Sequence, residues 1–210
     1  MKVAVLSESP ADEAAVRILV DGLLGRQTQL VNLPPFRTRG VSGVFTILPV
    51  VLRSLHYQAE AGALVVVVDS DQSPVHKPEH DQAGGADEKC RLCRLRQITD
   101  STLAQLRPIQ GRPQIKVAFG IAVPAVEVWY RCGLDAHVTE ATWIAGLQAG
   151  PLPYTQTGLK EDVYETSRPS LELETRRATE EARRLVQNLL LLEQCFPSGF
   201  GALAHTVRSW

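Results

Sequence analysis

The stretch ALVVVVDSDQ, residues 63–72, decides how the chain is read: a run of small and branched apolar residues that ends in two aspartates one residue apart. An apolar run without polar alternation predicts a strand covered on both faces, the kind found in a parallel sheet under helices. Asp69 and Asp71 then stand at the lip of the most buried strand, where unpaired charge is costly.

Working outward, KVAVLS (2–7) predicts a short buried strand. SPADEAAVRILVDGLLG (9–25) follows as a helix, with Pro10 in its first turn, Asp12 and Glu13 beside it and Gly25 at its stop. TQLVNL (28–33) predicts a second strand and PPFRTRGVSG (34–43) a loop. VFTILPVVLRSLHYQAEAG (44–62) predicts a helix with Pro49 near its start or kinking it, before the chain returns to the sheet at Ala63. The β-α-β-α-β order predicts a parallel sheet flanked by helices.

Beyond that strand, residues 72–89 are polar and rich in Gly, Pro and His, and predict a long loop. CRLCRLRQITDSTLAQLRPI (90–109) carries Leu92, Leu95, Ile98, Leu103 and Leu106 at helical spacing. QIKVAFGIAV (114–123) predicts a fourth strand and PAVEVWYRCG (124–133) a short helix. GPLPYTQTG (150–158) predicts a connector, and LELETRRATEEARRLVQNLLLLEQC (171–195) a helix with a charged half and an apolar half. The last stretch, FPSGFGALAHTVRSW, is expected to fold back on the core. The expected architecture is a Rossmann-like α/β domain over residues 1–150, with a helical C-terminal extension, 151–210, packed on the same core.

Composition narrows the function classes. With 44% hydrophobic and 21% charged residues, the 210-residue chain has the make-up of an ordinary globular protein. Its longest apolar run is too short for a membrane span. No signal-peptide pattern develops at the start, so the expected location is the cytoplasm, where the four cysteines stay reduced. Twenty-two basic against 23 acidic side chains leave a formal charge of -1. That balance does not grip nucleic acid by bulk electrostatics, so any such contact is local, metal-mediated or shared with a partner. No Ser-His-Asp order, P-loop or GxGxxG occurs.

Carboxyl ends of neighbouring parallel strands converge, and ligands bind there. Glu8 leaves the first strand, and Asp69 and Asp71 leave the third, with Ser70 pointing the other way if the strand continues. Asp12, one helical turn after Glu8, is near enough to join them. Oxygen donors of this kind suit Mg²⁺ or Mn²⁺. The plainer alternative is that the aspartates solvate a strand end while Glu8 and Asp12 cap a helix.

"VAVLSESPADEAAVRILVDGLLG" followed by "LVVVVDSDQ" resembles the Toprim domain, whose first strand ends in Glu before a turn and helix and whose third ends in Asp-x-Asp. The chain is similar in particular to small bacterial Toprim-like proteins related to OLD-family nucleases, through "GIAVPAVEVWY", with Glu127 and Trp129, and "FPSGFGALAHTVRSW". The resemblance implies Mg²⁺-dependent phosphodiester chemistry on nucleic acid. Glu8 would be metal ligand or general acid/base, Asp69 and Asp71 metal ligands, and Asp12 and Glu127 supporting ligands. It also implies an ATPase partner in a defence or repair setting. Many Toprim domains carry Gly directly after the Glu, where this chain has Ser9. The reading is thus a metal-dependent nuclease or phosphotransfer module; against it stand a protein-interaction module that has kept the fold and a site for a small phosphorylated ligand, and oligomerisation is compatible with each.

His76, His80, Cys90 and Cys93 form H-x3-H-x9-C-x2-C. Two imidazoles and two thiols have the number and softness of a closed zinc site, which would organise the long loop as a structural ion. The alternative is a pair of small buried cysteines and two exposed histidines. Arg91 and Arg94, with Lys89 and Arg96, are candidates to meet phosphate beside the acidic edge, with Ser9 at its turn. Pro34, Pro35, Arg37 and Arg39 offer a further rim. Glu172 to Arg184 alternates acid and base as an exposed helix face does.

Overall fold

The computed structural model describes residues 1–31, 40–59 and 61–210. Four parallel strands form one sheet: β1 (Lys2–Leu6), β2 (Gln29–Leu30), β3 (Ala63–Asp69) and β4 (Lys116–Ala122), in the order β2-β1-β3-β4. β3 is paired on both sides, Leu6 opposite Val66 and Asp69 opposite Ala122. Its Ala63–Val68 run is buried throughout, each large side chain contributing about 2 kcal/mol of hydrophobic free energy. Alternate residues divide between two cores: Val65 and Val67 face one, Leu64, Val66 and Val68 the other.

Helix α1 (Pro10–Leu24) covers the first face, and α2 (Val41–Ser54) and α3 (Arg91–Gln105) cover the second. The chain is therefore an α/β protein with a parallel sheet flanked by helices. It moves outward from β1 to β2, then crosses back to β3 on the other side of β1. The carboxyl ends of β1 and β3 thus flank the crevice where strand order reverses, the place such sheets bind ligands.

After β4 come α4 (Glu127–Arg131), α5 (Glu140–Ala149), α6 (Gln156–Tyr164), α7 (Leu171–Val186), α8 (Leu189–Cys195) and α9 (Ala202–Arg208). Ala178, Ala182 and Leu185 of α7 share the first core with Ala15, Leu19 and Leu23 of α1. Phe196, Phe200, Leu203 and Val207 are all fully buried, so the C-terminal stretch does fold back. Buried Glu140 ties it down, accepting from the backbone N–H groups of Ser198 (3.1 Å) and Gly199 (3.3 Å) and from the Ser198 hydroxyl. No helix among the described residues is long and apolar enough to cross a membrane.

Several boundaries differ from the sequence reading. Helix α2 begins at Val41, inside the expected loop, and holds Pro49 in its interior; a single-turn π-helix, Leu55–Ala59, follows it. The segment 171–195 is two helices, because Asn188 leaves helical conformation and its side chain accepts from the Leu191 N–H, capping α8 anew. The expected connector 150–158 gives way to α6, since the Thr155 hydroxyl caps the Gly158 N–H. The second strand spans only Gln29–Leu30, with Thr28 and Val31 beside it outside the strand; Asn32 and Leu33 of its expected span, and Pro34, Pro35, Arg37 and Arg39 of the expected loop, lie outside the described residues.

Candidate functional site

Glu8 is held from three sides. Its Oε1 accepts from the Asp69 N–H at 2.9 Å, the Val41 N–H at the start of α2 also donates to the carboxylate, and the Glu8 carbonyl accepts from Gly40 N–H at 3.3 Å. Ser7 adds a further clasp, its hydroxyl donating to the Val67 carbonyl at 2.7 Å. The ends of β1 and β3 are therefore one unit, with an anion placed where the α2 N-terminus favours it.

Asp69 Oδ1 accepts from the Val126 N–H at 2.9 Å, drawing the entry to α4 to the same edge. Strand geometry stops there. Ser70 is buried, and Asp71 takes a left-handed backbone (φ 46°) while its N–H donates to the Pro124 carbonyl at 2.8 Å. The two aspartates are thus brought together by a turn, and the expected continuation of strand alternation through Ser70 does not occur. Asp71 accepts from Arg91 and from Gln156 of α6. Arg91 also donates to the Asp69 carbonyl and lies 3.8 Å from Glu8 Oε1.

Behind this rim further acids lie near enough to influence one another's ionisation. Asp12 is held by Ser9, whose hydroxyl donates to Asp12 Oδ2 at 2.8 Å while accepting from the Asp12 N–H at 3.2 Å. Burial first, then Glu127 and Glu8, push the Asp12 pKa up to about 7. Burial and the neighbouring Glu127, Glu8 and Asp12 hold Asp69 well above the usual carboxylate range. Glu8 is raised by burial, against the Asp69 N–H and Arg91; Glu127 is raised by burial, against Lys160. In all four, burial is the largest cause, and for Asp12 and Asp69 the neighbouring acids add to it.

Tyr130 is fully buried, and its hydroxyl has no hydrogen-bond partner among the described residues. Its pKa is pushed up by burial and then by Asp12, Tyr164, Glu127 and Asp69, which places the hydroxyl among the acids. An orphaned donor beside under-neutralised oxygens fits a hydrated cation. Tyr130, Tyr164, Lys160 and Gln156 carry no spacing signal in the sequence and were missed, because α4 and α6 reach the site only through the tertiary fold. Arg94, expected at this edge, lies over the Phe45 ring, 4.4 Å from its centroid.

Beside the rim, ligand atoms of His76, His80, Cys90 and Cys93 all lie within 4.8 Å of one another, and the group can hold a metal ion. His76 Nδ1 is 3.6 Å from both sulfurs and His80 Nδ1 is 3.7 Å from Cys93 Sγ. Among the described residues this is the set that meets such spacing; the carboxylates are more widely spread.

The fold and site define an α/β protein with an acidic edge at its topological switch point and a His₂Cys₂ group beside it. Comparison with protein-family models, with curated proteins and with solved structures gave no match.

Proposed function

We propose that the chain is a Toprim-like phosphodiester hydrolase acting on nucleic acid, with Mg²⁺ or Mn²⁺ held by Glu8, Asp69 and Asp71 and supported by Asp12 and Glu127. The observation that carries this reading is the convergence of part-buried Glu8, Asp12 and Asp69 and buried Glu127 on the switch-point edge, each with a raised pKa. Such a set is unfavourable in itself and is offset by a cation with a preference for hard oxygen donors. When bound, the ions would polarise a phosphoryl oxygen and lower the pKa of an attacking water.

The chain's own groups then have distinct tasks. Glu8, fastened to the Asp69 N–H and with its pKa raised by burial, would serve as metal ligand or as general acid/base toward an attacking water. Arg91 can exchange Asp71 for a phosphate oxygen, for which its planar fork is suited. The net charge of -1 assigns much of the grip on the polymer to a partner, with an ATPase the partner type the resemblance implies. For the His₂Cys₂ group the fitting ion is Zn²⁺, in a structural role, because four protein ligands leave no open position.

A second reading is a non-catalytic module in which Arg91 closes the acidic edge, favoured by its pairing with Asp71. Incubating wild type and Asp69→Asn with single- and double-stranded DNA and RNA in Mn²⁺ separates the two. The hydrolase requires cleavage by wild type and its loss in the variant; equal cleavage by both, or none by either, removes it.

A further inference from the structure

We infer that Zn²⁺ at His76, His80, Cys90 and Cys93 is the clamp that holds Arg91 at the acidic edge, so that zinc occupancy governs whether this guanidinium faces the strand ends. The inference rests on the zinc assignment above and is independent of the hydrolase reading.

The geometry of the four ligands comes first. Tetrahedral coordination with Zn–S of about 2.3 Å and Zn–N of about 2.0 Å requires sulfur-to-nitrogen edges of roughly 3.5 Å. The separations here are 3.6, 3.6 and 3.7 Å. The nitrogens facing the sulfurs are both Nδ1. The other ring nitrogen of His76 meets Asp81 at 3.1 Å, and Asp81 is paired in turn with Arg96. A carboxylate on the far nitrogen orients a metal-bound imidazole and fixes its tautomer.

The loop also needs such a centre. Between Ser70 and Cys90 no residue is buried, and Val75 alone of this span packs as a partly buried apolar residue against the second core. A span of this length without secondary structure of its own exceeds what compact domains ordinarily carry. Apart from the single 3₁₀ turn at Pro78–Asp81, little in it can hold its course. Binding free energy from a metal substitutes for the missing core.

Arg91 connects the two sites. Cys90 stands at the N-cap of α3 and Cys93 in its first turn, so both sulfurs face the histidines. Residue 91 projects about 100° away around the helix, toward the end of β3. There it meets the Asp69 carbonyl, Asp71 and Glu8 with its side chain only 15% exposed. Fixing both cysteines therefore fixes the rotation of the first turn, and with it the direction of Arg91. The loop leaves β3 at Asp69 and ends at Cys90, where α3 begins, which makes the clamp the only metal-sized closure of that excursion among the described residues.

The experiment uses the full chain purified without a histidine tag. Elemental analysis is expected to find one zinc per chain, and Co²⁺ exchanged for it should give intense tetrahedral bands with thiolate charge transfer. Both should vanish in Cys93→Ser and persist in Asp69→Asn and Arg91→Ala. Arg91 itself is read by trypsin, which needs the free side chain: cleavage after Arg91 should be at least about tenfold slower with zinc bound than after chelation, reflecting local opening. Absence of the cobalt bands overturns the zinc assignment and this inference together. Cobalt bands with equal cleavage after Arg91 in loaded and chelated protein overturn the clamp alone. Cleavage spread over all lysines and arginines after chelation also overturns it, since zinc would then hold the whole fold instead of this turn.

Discussion

Glu8 accepts a hydrogen bond from the backbone N–H of Asp69 at 2.9 Å, so the acid that ends β1 is fastened to the residue that ends β3. The two strand ends are consequently tied to each other through the acid itself, and its electrostatic cost is built into the fold. Consequences follow for charge, pH and packing.

Asp69→Asn retains an oxygen to accept from Val126 N–H while removing one of the crowded charges. In metal-free protein at pH 8 the variant is expected to be more stable than wild type, by about 1 kcal/mol. With millimolar Mn²⁺ the order should reverse, because wild type alone gains binding free energy. Thermal melts of both proteins with and without Mn²⁺ check this, and an unchanged order would count against a cation at the edge.

Asp12 carries a pKa of about 7 in the folded chain against an ordinary value of 3.8. The folded state therefore holds a proton that the unfolded state has released, and this contribution to stability is lost as pH rises through that window. Chemical denaturation of metal-free protein from about pH 4 to pH 7 should show stability falling by up to about 1.4 kcal/mol per pH unit from this group, levelling above it. Asp12→Asn should reduce the slope by this share, leaving the part that the other raised carboxyls, Glu8, Asp69 and Glu127, contribute. An undiminished slope in the variant would show that Asp12 contributes none of it.

Glu140→Ala removes the acceptor for two backbone N–H groups and the Ser198 hydroxyl. Leaving them unsatisfied in a buried setting should cost about 2–4 kcal/mol in urea unfolding. Glu140→Gln keeps an oxygen for the backbone and should recover a measurable share. The C-terminal segment, read by exchange of amides 196–204, should loosen first.

Gly199→Ala would put a Cβ 2.2 Å from the Ile121 carbonyl oxygen, a backbone atom that cannot swing aside. Loss of about 3 kcal/mol or more is expected. Gly22→Ala meets Val186 Cγ2 at 2.8 Å, but that neighbour is a side chain with rotamers to spare. It should cost markedly less, and comparable melting temperatures for the two variants would contradict the clash assigned at position 199.

Much of the frame is legible in residue order because local physics writes it there. An uninterrupted ALVVVV is compatible with burial on both faces, and Ser9, Pro10 and Gly25 carry the start and stop of α1 in their own backbone chemistry. The break at Asn188 was hidden because apolar residues run on both sides of it and periodicity continues across. The start of α2 at Val41 was hidden because Gly40 and Gly43 signal a turn whether or not a helix follows.

The sequence by itself determined the alternation of strands and helices, the acids at the ends of the first and third strands, and the H-x3-H-x9-C-x2-C set, since each depends on neighbours along the chain. Only the tertiary structure decided that β1 and β3 lie side by side, that Glu127 and Tyr130 join Asp12 behind the rim, and that Arg91 rather than Arg94 faces it. Those are matters of strand order and helix rotation. They are set by long-range packing of the two cores, which no local spacing encodes.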